Sequence, residues 1–145
     1  MFEILTETGV DPHRVVFSHF KSQKYNSDTA YSAMLDNAYA TMKFYAQQGI
    51  SIEFDLFGTW GPESGTFINR LIADGYINHI LISHDNYLPS NLTANGGTGY
   101  AYIMNGLDTQ TNCLTPPHMK QIMVDNTQNI LPIKPYKDTD NDLWP

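Results

Sequence analysis

Three short apolar runs in this chain end alike: Val15-Val16-Phe17-Ser18-His19, Ile50-Ser51-Ile52-Glu53-Phe54-Asp55 and Ile80-Leu81-Ile82-Ser83-His84-Asp85. Each closes on a His or an Asp, and each follows a helix-like stretch that stops at a glycine: Gly9, Gly49 or Gly75. The runs are almost continuously apolar and do not alternate cleanly, as expected of parallel strands covered on both faces. A helix, a glycine stop and a buried strand ending in a metal-binding or proton-transferring side chain form the repeating unit of α/β barrels, which carry their chemistry at the C-terminal ends of the strands. The pattern predicts an α/β fold and points to metal-dependent hydrolysis. It supplies only three of the units that a closed barrel needs.

The remaining segments fit this rhythm. Ser27 or Asp28 can cap a long helix whose apolar positions Ala30, Met34, Ala38, Met42 and Tyr45 recur at helical steps. Pro62 suits the first turn of the next helix, with Phe67, Ile68, Leu71 and Ile72 as its inner stripe. Thr115-Pro116 marks a further helix start, predicted to run to about Asp125 with Met119, Ile122 and Met123 inward. Residues 1–133 are therefore expected to form one partial barrel domain, and residues 134–145 a polar tail.

At 145 residues the chain is long enough for one domain with a core. Its 41% hydrophobic and 12% aromatic content is that of a globular protein. A formal charge of -7, with the 8 basic residues scattered, argues against a nucleic-acid partner, because phosphate contacts need clustered Lys and Arg. No apolar run approaches the roughly 20 residues of a membrane helix, so no membrane partner is expected. A single cysteine, Cys113, and an N-terminus without a signal-peptide pattern favour a soluble, reducing, cytoplasmic setting.

Several residues can carry chemistry. His19 at a strand end is either a zinc ligand, given a partner for its other nitrogen, or a structural histidine bonded to a loop. Asp85 closes the most apolar strand, where a carboxylate is costly unless paired, hydrogen-bonded or metal-bound. It can ligate a metal and take a proton from an activated water, or simply cap the next loop. His84 alternates with Asp85 and should point the other way, into packing or a hydrogen bond. Asp55 ends the middle strand before Leu56-Phe57-Gly58-Thr59-Trp60, a segment that either lines a pocket or makes an ordinary turn. Glu53 shares Asp55's side of the strand. Asn95-Gly96-Gly97-Thr98-Gly99-Tyr100 lacks the strand, spacing and Lys of a nucleotide loop, and Asp138 to Asp142 lacks the Gly and Glu of a calcium loop.

Taken in order, these segments resemble the phosphotriesterase-like branch of the amidohydrolase superfamily. Gly9-Val10-Asp11-Pro12 through Ser18-His19 is similar to the approach to its sixth strand, and Glu53-Phe54-Asp55-Leu56-Phe57-Gly58 to its seventh. Arg70 to Tyr76 followed by Ile80 to Asp85 is similar to the seventh helix and eighth strand. Gly96 to Tyr100 and Ile122 to Asn126 resemble its closing segments, and Asp55-Leu56-Phe57-Gly58 looks closest to the phosphotriesterase-related subgroup. The resemblance implies the last three βα units of a (β/α)8 barrel. It also implies two divalent metals, usually zinc, and a bridging hydroxide that attacks an ester, lactone, amide or phosphotriester of a small-molecule substrate. By the same resemblance His19 binds one metal, Asp85 binds the other and shuttles the proton, and Asp55, Leu56 and Trp60 are substrate-facing. The family's first-strand His-x-His, strand-four Lys or Glu and strand-five His have no counterpart here. The chain is thus expected to be the C-terminal part of such an enzyme, inactive alone. The alternative is a non-catalytic half-barrel that pairs with an N-terminal half or with its own copy.

Overall fold

The computed structural model describes residues 2–19, 28–55, 63–104 and 114–131. Three parallel strands, β1 (Val16–Phe17), β2 (Ser51–Phe54) and β3 (Ile80–Ile82), form one sheet in the order β1-β2-β3. Helix α1 (Phe2–Glu7) precedes the sheet, α2 (Asp28–Gln47) connects β1 to β2, and α3 (Glu63–Ala73) connects β2 to β3. Parallel neighbours need such crossovers, so the helix-strand rhythm of the sequence dictates this connectivity. The register pairs Phe17 with Ile52, Ile52 with Ile80 and Phe54 with Ile82. All three C-terminal strand ends therefore lie along one edge of the sheet.

The glycine stops set where each strand begins. At the end of α2 the Gly49 N–H donates to the Ala46 carbonyl (3.0 Å) and the Ile50 N–H to the Tyr45 carbonyl (3.1 Å). This crossed pair needs a left-handed residue, and Gly49 has φ +90°. A Cβ there would also come within 2.6 Å of the His13 ring, so a side chain would have to displace that ring as well as adopt the left-handed backbone. Gly9 and Gly75 close α1 and α3 with the same bond pattern, at φ 74° and 86°.

The core lies between the sheet and the helices. Ile52, Phe54 and Ile80 pack with Tyr39 and Met42 of α2 and with Phe67, Ile68 and Leu71 of α3, all buried. Burying each large side chain fully stabilises the fold by about 1.5–3 kcal/mol relative to leaving it exposed. A polar link binds the two helices at their outer edge. The Tyr39 hydroxyl donates to Asp74 Oδ2 (2.6 Å), Lys43 Nζ pairs with the same oxygen (2.7 Å), and the Arg70 guanidinium sits 3.8 Å over the Tyr39 ring.

The C-terminal helix differs from the single helix expected to end near Asp125. It runs as α4 (Pro116–Lys120), a π-helical turn (Gln121–Asp125) and α5 (Asn126–Ile130). Asn126 supplies the reason. It is buried, its Nδ2 donates to the carbonyls of Ile77 (2.8 Å) and Ile80 (2.8 Å), and its Oδ1 accepts from Gln121 Nε2 (2.8 Å). The widened turn carries Asn126 to the entry of β3, where it bonds the Ile80 carbonyl and adds a second donor to the Ile77 carbonyl, which already accepts from the Ile80 N–H.

The tail at 134–145, Cys113, Leu56 and Trp60 lie outside the described residues. No helix among the described residues is long and apolar enough to cross a membrane.

Candidate metal centre

Each of the three strands delivers one side chain to the same point. His19 lies just past β1, Asp55 follows β2 directly, and Asp85 lies just past β3. One ligand-capable atom from each falls within 4.8 Å of the others. Parallel pairing makes this convergence: residues far apart in sequence meet because the strands end side by side.

His19 Nδ1 is hydrogen-bonded to Asp55 Oδ2. The Asp55 side chain is only 2% exposed, whereas that of His19 is 64% exposed. A buried carboxylate thus grips one nitrogen of an open imidazole, which fixes the ring and directs Nε2 outward. This is the arrangement that orients metal-bound histidines in general. The bond and charge of Asp55 hold the His19 pKa above its ordinary 6.5, against an opposing effect of desolvation and with smaller contributions from Glu53 and Asp85.

The backbone marks the same residues. His19 (φ 62°) and Asp85 (φ 53°) are the only non-glycine residues in the left-handed region among the described residues. Asp and His enter that region more readily than most residues, yet each still costs about 1 kcal/mol or more. Two of the three strand-end residues singled out from sequence, His19 and Asp85, are therefore held in costly conformations. Their side chains turn onto Asp55 instead of continuing along the strands.

Asp55, expected at a substrate-facing position, stands inside this group. Asp85 is half-buried beside it. His84, expected on the opposite side from Asp85, bonds through Nε2–H to the Tyr100 carbonyl and meets the Tyr100 ring edge-on at 5.4 Å between centroids. It thereby ties the 88–100 loop to the end of β3. That loop is two short 3-10 turns closed by a left-handed Gly96 and makes no nucleotide cradle. At the opposite end of the sheet His13 and His79 approach each other, with centroids 6.4 Å apart, and burial holds the His79 pKa below its usual value. The His19–Asp55 bond was not legible in the sequence, although both residues were. The usable signal is that both close adjacent parallel strands.

A cluster of one imidazole and two carboxylates at the C-terminal edge of a parallel sheet suits a divalent cation such as zinc. The chain belongs to the phosphotriesterase family, whose pattern its residues 1–131 match. That family binds divalent metals, and this donor set fits them. Among relatives, the N-acetyltaurine hydrolase of Dictyostelium discoideum is 27% identical over 149 residues, covering 92% of this chain and 37% of that protein. The N-acetyltaurine hydrolase of Homo sapiens is 26% identical over 150 residues, covering 92% of this chain and 40% of that protein. The solved structure of a resiniferatoxin-binding protein from Rhodobacter sphaeroides superposes with a TM-score of 0.68 at 26% identity, over 89% of this chain and 37% of that one. The chain thus spans about two-fifths of the length of the relatives it matches.

Proposed function

We propose that this chain forms the last three βα units of a (β/α)8 metallohydrolase barrel and supplies part of its binuclear zinc site. The observation that carries this reading is the gathering of His19, Asp55 and Asp85 at the strand ends, two of them in left-handed backbone, in a chain of this family. A divalent ion there would polarise the scissile carbonyl or phosphoryl oxygen and activate a water for attack. His19 offers Nε2 to the ion while Asp55 orients and polarises it from behind. Asp85 faces the same point with a carboxylate that can receive the proton of the attacking water. By the family resemblance Leu56 and Trp60, which lie outside the described residues, are assigned to substrate binding. Among ester, lactone, amide and phosphotriester bonds, the likeness to N-acetyltaurine hydrolases favours a small N-acyl amide.

Three protein groups, one of them busy orienting another, make a weak site. The chain alone is therefore expected to turn over little or nothing. Among the described residues, β1 and β3 each have a hydrogen-bonded neighbour on one side only. Such edges favour pairing with further strands, from an N-terminal half-barrel or a second copy. The test is complementation. This chain is co-expressed with the part of the Dictyostelium enzyme that it does not span, and zinc-dependent hydrolysis of N-acetyltaurine is measured. Turnover by the complex, absent with Asp85→Asn, is expected. Equal turnover with Asp85→Asn contradicts the assignment, and robust turnover by this chain alone contradicts the need for a partner.

A further inference from the structure

Glu53 is a carboxylate near the metal cluster that the proposed chemistry leaves unused. It sits on β2 two residues before Asp55, so strand alternation puts it on Asp55's face, opposite the buried Ile52 and Phe54. Its Oε1 is shut off from solvent and accepts no hydrogen bond among the described residues. Its charge nevertheless acts on His19. A buried carboxylate oxygen without a donor is among the costlier features a fold can carry. With Asp55 and Asp85, Glu53 brings three carboxylates to the surroundings of a single histidine.

We propose that Glu53 is an outer carboxylate of the cation site, whose Oε1, without a hydrogen-bond partner among the described residues, helps draw a divalent ion to His19, Asp55 and Asp85. It is a positioning residue and not part of the cluster within 4.8 Å. It acts by setting the charge behind Asp55 and by accepting hydrogen bonds from water around the ion. The inference rests on the metal-site reading above and adds a residue to it. It implies a trade between stability and function: in the absence of metal, Glu53 should weaken the fold that it serves when metal is present.

The experiment uses the 145-residue chain with Co²⁺ as probe, followed by the visible absorption of the bound ion, and thermal unfolding without metal. Wild type, Glu53→Gln, Glu53→Leu and Asp85→Asn are compared. Loss of an outer-sphere partner typically weakens metal affinity by about 10-fold or more, and Glu53→Gln is expected to do so. Metal-free Glu53→Leu is expected to unfold at a higher temperature than wild type, because an apolar group replaces an unpaired charge. Unchanged Co²⁺ affinity in Glu53→Gln, with affinity lost in Asp85→Asn, overturns the role of Glu53 and leaves the metal site standing. A lower metal-free midpoint for Glu53→Leu also overturns it, since that result would mean the carboxylate is a structural partner. No Co²⁺ binding by wild type overturns the metal site and the role of Glu53 together.

Discussion

On one side of β2, Ile52 and Phe54 are sealed among Tyr39, Met42, Phe67, Ile68 and Leu71. On the other, the same strand carries Ser51, Glu53 and Asp55, and leads into a cluster of charge beside residues in left-handed backbone. The first side is apolar and buried. The second holds an unsatisfied carboxylate oxygen, a buried Asp gripped by an exposed His, and sheet edges on either flank. The two-residue period of a strand lets one short segment serve both purposes. What differs is what each face is for: the helix face favours the folded chain, whereas the strand-end face, on the proposed reading, would become favourable with a cation bound.

That contrast can be broken or sharpened by substitution. The largest effect is expected on the packed face. Phe54→Ala should cost about 3–5 kcal/mol in denaturant unfolding, enough to unfold a marginal chain. A loss under about 1 kcal/mol would mean the helix layer is not the core that it looks to be. Asn126→Ala should cost about 1–3 kcal/mol, because it abandons the carbonyls of Ile77 and Ile80 together. Asp85→Asn should change stability by less than about 0.5 kcal/mol, because Asn tolerates the left-handed backbone as Asp does. Its effect should appear instead as lost cation binding in a calorimetric titration. The smallest effect concerns pH. The bonds from Lys43 and Tyr39 hold the Asp74 pKa below its usual 3.8. The stabilisation this gives is complete above pH 3.8 and is lost as pH falls through the lower folded value. Asp74→Asn should remove that part of the acid-side slope in a plot of unfolding midpoint against pH. An unchanged slope would mean that the link between α2 and α3 adds nothing.

Much of this architecture was legible in the sequence because it depends on local rules. The stops at Gly9, Gly49 and Gly75 each follow from a helix whose last turn needs a left-handed residue, and each fixes the start of the next strand. The apolar stripes of α2 and α3 fix which face they bury. His19 and Asp85 stood out because a polar group closing an apolar strand calls for a reason. What the sequence did not disclose is non-local. The His19–Asp55 bond spans 36 positions and depends on how β1 and β2 pair. The left-handed turns at His19 and Asp85 occur without a glycine to announce them. The π-helical turn is set by Asn126 meeting carbonyls that lie 46 and 49 positions away, a fit that periodicity within the helix cannot reveal.

The most direct test of the account is diffraction from crystals of the chain soaked in Zn²⁺, with data collected on both sides of the zinc absorption edge. The account predicts an anomalous peak bounded by His19, Asp55 and Asp85, and none in Asp85→Asn crystals. Zinc bound elsewhere, with His19 still hydrogen-bonded to Asp55 and no peak beside them, would contradict it.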